Sequence, residues 1–231
     1  MTVDSTSYTI KINRIIEPNV RLIRVQPNNL RITLGYILAS LSSKCWISQM
    51  SEELRQAYEV RAQGTINKLN EDFTNGTDSE IISNTGEYVV SELTRSSIVN
   101  ELHYLDIPLG ELFKQKISGN PGFDIFTVNL NEQILFGEAK YVANKNAYNN
   151  AIKQVNRFIA EKRDLTDLPD LIQFNIHNAI SKASNGDRGF IAGFSSTTIS
   201  DADLELRIKD NDAYKALPKD KEIICVAVDV R

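Results

Sequence analysis

Apolar and polar residues alternate through "YTIKINRI" (8–15), and "VRLIRVQ" (20–26) is placed to extend or pair with it, so the chain opens on predicted strands. Leu30, Leu34, Ile37, Leu38 and Leu41 then recur at helical spacing. A second predicted helix starts near Ser51, where "SEEL" offers a cap and an acidic first turn, and runs to about Gln63. The polar, Gly-containing run "NEDFTNGTDSE" (70–80) reads as a break, and it sets a boundary between an N-terminal α+β segment, 1–78, and a main unit, 79–231. Ile82, Val89, Val90 and Leu93 predict a helix to the mid-90s, and "HYLDIPLGELFKQKI" (103–117) predicts a strand or loop followed by a short helix. "FDIFTVNL" (123–130) and "QILFGEAKYV" (133–142) flank Asn131-Glu132, the length of a tight hairpin turn, although Asn-Glu is a poor sequence for one. Ala147, Ala151, Ile152, Val155, Phe158 and Ile159 make one stripe of a helix over roughly 146–163. "GFIAGFSS" (189–196) and "EIICVAVDV" (222–230) are near-continuous apolar runs, as expected of strands covered on both faces. The order from residue 80 is helix, strand pair, helix, strand, strand: an α/β layout with a central mixed sheet.

Composition narrows the class. The 231 residues are 42% hydrophobic and 24% charged, an ordinary globular profile. The formal charge of -4 means that any nucleic-acid surface has to be local. Cys45 and Cys225 are far apart with no metal-type spacing, which fits a reduced compartment with each thiol in the core. "MTVDSTSYTI" lacks a signal-peptide apolar region, and no apolar run approaches the roughly 20 residues that cross a bilayer. The expected location is cytoplasmic.

The chemistry concentrates in "FGEAKYV" (136–142). Glu138 and Lys140 are two apart and share a strand face. Asp124 opens the first strand of the hairpin while Glu138 and Lys140 close the second, so an antiparallel pairing brings the three together. Two carboxylates at one point repel unless something positive separates them. A divalent cation suits that role, since Mg²⁺ takes one or two carboxylates, a carbonyl such as that of Ala139, and waters. Such a metal activates water and neutralises charge on a phosphodiester, and Lys140 is placed to position that water or stabilise the transition state. The competing reading of Glu138 and Lys140 is a surface ion pair, because Glu-x-Lys is common.

"PGFD" followed by "GEAK" resembles the PD-(D/E)xK nuclease superfamily, with the departure that Gly-Phe separates Pro121 from Asp124. The resemblance implies a restriction-endonuclease-like core, a central mixed sheet flanked by helices, with the N-terminal α+β segment as an appendage. It implies a further site acid on the preceding helix, which matches Glu87 in "TGEYVVSELT", with Glu92 as the competitor. It also implies a Gln on the following helix, which matches Gln154. The catalytic set is then Asp124, Glu138, Lys140, Glu87 and Gln154, and the metal set is Asp124, Glu138, Glu87 and the Ala139 carbonyl, for Mg²⁺ or Mn²⁺. More narrowly, "HYLDIPLGELFKQKISGNPGFDIFTV" with "LFGEAKYV" looks like the nuclease subunits of the Hachiman anti-phage defence system. That likeness has motif support over roughly 80–231 and implies a DNA endonuclease working with a helicase subunit.

Other chemistries lack their signals. His103 and His177 are the only histidines, too few for a histidine-rich metal site. "SSTT" (195–198) has no nucleophile-elbow glycines, and no Gly-rich phosphate loop is present, so ATP hydrolysis falls to a partner. Lys140, Lys145, Lys153, Arg157, Lys162 and Arg163 stand against Glu161 alone in 140–163, a stretch suited to a phosphate backbone, with Lys145, Lys153 and Arg157 as the DNA contacts. The alternatives are a restriction or repair endonuclease of the same fold, and a subunit that binds DNA or a helicase without cutting.

Overall fold

The computed structural model describes residues 2–48, 50–75, 78–114, 122–197 and 199–230. Pro121 and the side chains of Leu30 and Ile82, used above, lie outside the described residues. The chain begins with β1 (Tyr8–Glu17), β2 (Val20–Pro27), α1 (Leu30–Ser42), α2 (Glu52–Asn75) and α3 (Asp78–Leu102). A short α4 (Gly110–Phe113) leads to β3 (Ile125–Val128) and β4 (Ile134–Lys140), then α5 (Tyr148–Ala160), α6 (Arg163–Thr166) and α7 (His177–Ser184). The last elements are β5 (Gly189–Ser196), α8 (Asp201–Asp210), α9 (Asp212–Lys215) and β6 (Ile223–Asp229).

The strands form one mixed sheet in the order β1-β2-β6-β5-β4-β3. Its centre is parallel, from β2 through β6 and β5 to β4, and each edge is closed by an antiparallel hairpin. Every residue of β5 and of β6 is buried, which is why both read as continuous apolar runs. Alternation splits the core between the two faces. Phe136, Phe190, Phe194 and Cys225 pack with Ala151, Val155 and Phe158 of α5 on one side. Leu135, Ile191, Val226 and Val228 pack with Leu34, Ile37, Val89, Val90 and Leu93 of α1 and α3 on the other.

Three expectations change here. The first is the appendage: β2 pairs in parallel with β6 from Val20↔Ile223 to Val25↔Val228, so the strands of residues 1–78 continue the central sheet. β6 is apolar on both faces and has two edges to fill, and β2 fills the one that β5 leaves. The second is the break over 70–80: α2 reaches Asn75 and α3 starts at Asp78, because Ile66 and Leu69 bury one side of α2 and leave its other side free to be polar. The third is Cys45, which is exposed in a short turn where Ile47 takes the buried place; Cys225 is buried as expected. Among the described residues no helix is long and apolar enough to cross a membrane.

The face under α1 and α3 holds a buried ion pair. Arg95 Nη2 lies 2.5 Å from Glu92 Oε1 and its Nε donates to Glu92 Oε2 at 2.9 Å. Ser40 of α1 donates to the same carboxylate at 2.5 Å, and Arg95 also pairs with Asp106. Removing one partner of a buried pair costs about 3–5 kcal/mol where the other charge is left alone, and about 1.5–3 kcal/mol where, as for Arg95 with Asp106, a second carboxylate stays. Glu92→Ala is therefore expected to lower the unfolding free energy by about the smaller amount. Chemical denaturation measures it, and a loss well under 1 kcal/mol would show the pair to be dispensable.

Candidate active site

The hairpin that carries the site is closed by a five-residue connection, in which the Glu132 N–H donates to the Asn129 carbonyl and the Asn129 N–H to the Gln133 carbonyl, each at 3.0 Å. Val128 pairs with Ile134, so residues 129–133 form the connection. Asn129 Oδ1 accepts from the N–H groups of Asn131 at 3.0 Å and Gln133 at 2.9 Å, and Glu132 takes the left-handed conformation with φ 57°. This is why Asn131-Glu132 does not need to fit a primed turn. In the strands, Ile125 pairs with Gly137, a register that sets Asp124 opposite Glu138. A Cβ at Gly137 would lie 2.8 Å from Ile191 Cβ and 2.9 Å from Ile125 Cβ, so the residue before Glu138 has to be glycine for β3 and β5 to close on β4.

Asp124 is fixed through its backbone. Its N–H donates to the Gly137 carbonyl at 3.0 Å, and its own carbonyl accepts from Gly110 N–H at 2.7 Å. Carbonyls two apart on a strand point the same way, so the Ala139 carbonyl also faces the β3 side, beyond the start of β3 and toward Asp124. Glu138 is buried to 2% exposure. Gln154 of α5 donates to Glu138 Oε1 at 2.7 Å, and Lys140 Nζ lies 3.1 Å from the same oxygen. Glu138 Oε2 is buried with no hydrogen-bond partner. On its other side the Lys140 ammonium donates to Glu87 Oε1 of α3 at 2.8 Å.

Glu87 arrives there because α3 packs closely on the end of β4. A Cβ at Gly86 would fall 2.3 Å from the Tyr141 ring, so glycine lets the helix approach. Glu92, one and a half turns along, is in the buried pair with Arg95 and not at the site. The structure thus brings together Asp124, Glu138, Lys140, Glu87 and Gln154. Lys145, Lys153 and Arg157 are exposed nearby in chain order, on the turn after β4 and on α5, and Arg157 lies over the Phe158 ring 4.9 Å from its centroid.

Glu111 of α4 was not legible as a site residue. It accepts from the Tyr88 hydroxyl and, with Glu87, Ser91, Leu109 and Asp124, borders a cavity of about 50 Å³. The one signal for it in the chain is the Gly-Glu start of the short helix, which looks like an ordinary acidic first turn.

Electrostatics follow from this packing. Burial, and next the Glu111 carboxylate, push Asp124 up to about 7, against the pull of Lys114 and Lys140. Burial, and next the charge of Asp124, push Glu138 well above the usual carboxylate range, with Lys140 opposing. Burial pulls Lys140 down, but Glu138 and Glu87 outweigh it and raise its value. Among the described residues no three His, Cys, Asp or Glu side chains converge as a ready metal-holding group. The physical reason on the Glu87 side is that its carboxylate is turned to the Lys140 ammonium. What remains suits a hard cation: the buried Glu138 and the partly buried Asp124, whose ionised forms desolvation disfavours, an unpartnered Glu138 oxygen and the carbonyl of Ala139. The chain matches no protein-family model and no curated protein.

The raised carboxylates carry a stability consequence whose sign is fixed. The folded pair holds protons that the unfolded chain releases near pH 4, so its contribution is full below about pH 4 and is lost as pH rises through the folded value of about 7 for Asp124. Glu138→Gln removes one of the two ionisations. In EDTA it is expected to raise the melting temperature at pH 8 by roughly 2–4 °C, as about 1 kcal/mol does for a chain of this length, and to change it little at pH 4. Equal destabilisation at both pH values would contradict the repulsion.

Proposed function

We propose that this chain is a divalent-metal-dependent DNA endonuclease, the effector of a Hachiman-type anti-phage defence system controlled by a helicase subunit. The observation that carries the reading is the buried Glu138 with an unpartnered oxygen, the partly buried Asp124 beside it at the end of the hairpin, and Lys140 3.1 Å from Glu138. Asp124, Glu138 and the Ala139 carbonyl would hold Mg²⁺ or Mn²⁺. When bound, that cation would acidify a water and neutralise charge on the phosphodiester.

The chain's own residues supply the rest. Gln154 donates to Glu138 Oε1 and so leaves Oε2 as the oxygen that would face the cation. Lys140 holds a protonated ammonium at the mouth of the pair, where it opposes the negative charge that develops on a phosphate during cleavage. The exposed Lys145, Lys153 and Arg157 meet the DNA backbone, which gives affinity with little sequence preference. The helicase and the defence role rest on the sequence likeness over 103–142, and the partner brings the ATP chemistry that the sequence does not offer.

Asp124→Asn, Glu138→Gln and Lys140→Ala are each expected to lower plasmid nicking in Mg²⁺ by about 100-fold or more, with circular dichroism unchanged. EDTA is expected to abolish cleavage by the parent chain. Retention of full activity by Glu138→Gln, or cleavage undiminished by EDTA, would overturn the assignment.

A further inference from the structure

We infer that Glu87 is a positioning residue for Lys140 and not a ligand of the cation; the inference rests on the nuclease reading above. A lysine at a strand end has a four-carbon stem and three ammonium donors, and without anchors it swings into solvent. Here Nζ is caught from both sides, 2.8 Å from Glu87 Oε1 and 3.1 Å from Glu138 Oε1. One hydrogen bond and one ion pair thus fix the ammonium, and it keeps an N–H for the reacting water or phosphate.

Two observations set Glu87 apart from Glu138. Its side chain is 56% exposed, whereas that of Glu138 is 2% exposed. The Lys140 ammonium lies nearer to it, at 2.8 Å, than to Glu138, at 3.1 Å, so it takes up the Glu87 charge more closely. The close packing of Gly86 on Tyr141 fixes the height of Glu87 over the end of β4, so the anchor is a built feature of the fold. Glu138, by contrast, serves both sides: Oε1 takes Gln154 and Lys140, and Oε2 is left over.

Glu87→Gln and Glu87→Asp separate the two roles. Mn²⁺ affinity is measured by calorimetric titration of the whole chain, beside Glu138→Gln as the variant that loses it. Single-turnover cleavage is followed across Mn²⁺ concentration. Glu87→Gln is expected to keep Mn²⁺ affinity within about twofold while the rate at saturating Mn²⁺ falls more than about tenfold, with partial rescue in Glu87→Asp. A tenfold weaker Mn²⁺ affinity, with the rate restored at saturation, would make Glu87 a ligand and overturn the inference. An unchanged rate would overturn it too. A third readout needs neither metal nor activity: acetylation of Lys140 by acetic anhydride, followed by mass spectrometry, is expected to quicken several-fold in Glu87→Gln. An unchanged acetylation rate means that Glu87 does not hold the amine. Failure of the parent chain to bind Mn²⁺ would count against the nuclease reading, and the acetylation result would still decide the Glu87–Lys140 contact.

Discussion

Two carboxylates brought together with one of them buried resist being ionised at the same time unless a cation lies between or beside them. Asp124 and Glu138 are in that position, and the local structure is arranged around it. The hairpin register sets them face to face, Gly137 lets the flanking strands close, and Gln154 and Lys140 each take up the same oxygen of Glu138. The Lys140 ammonium offsets part of the repulsion, yet both carboxyls remain displaced upward. The site is therefore a place where folding is opposed by local electrostatics and a bound cation would relieve that opposition.

The location follows from the sheet. β4 runs parallel to β5, and Lys140 ends it at the carboxyl edge, where open α/β sheets bind their ligands. β3 begins only at Ile125, so β4 loses its outer neighbour beyond Gly137. The gap admits side chains from both faces, Gln154 from α5 and Glu87 from α3. Neither face alone supplies the site, which is why both packed layers are needed to hold it.

Much of this was legible in the chain because the signals were local. The apolar runs of β5 and β6, the stripe of α5 and the hairpin around Asp124 and Glu138 each follow from residues close in sequence. Glu87 and Gln154 needed the superfamily likeness as well, since nothing within "TGEYVVSELT" favours Glu87 over Glu92; the helix packing through Gly86 separates them. What stayed hidden is long-range. The parallel partnership of β2 with β6 joins residues some 200 positions apart, and no local pattern announces it. Glu111 was hidden for a similar reason, since its neighbours Tyr88 and Asp124 come from other elements. Asn129 closes the hairpin through its side chain as well as its backbone, where a turn-dipeptide rule looks for backbone conformation alone.

Whether the Asp124–Glu138 pair binds a divalent cation decides the proposed function. The most direct test is calorimetric titration of the chain with Mn²⁺ in two buffers of different ionisation enthalpy, from pH 6 to pH 9. The expected result is one dominant site, proton release on binding at pH 6 that fades toward pH 9, affinity that rises with pH, and loss of the site in Asp124→Asn. Absence of binding, or an affinity indifferent both to pH and to Asp124→Asn, would contradict it.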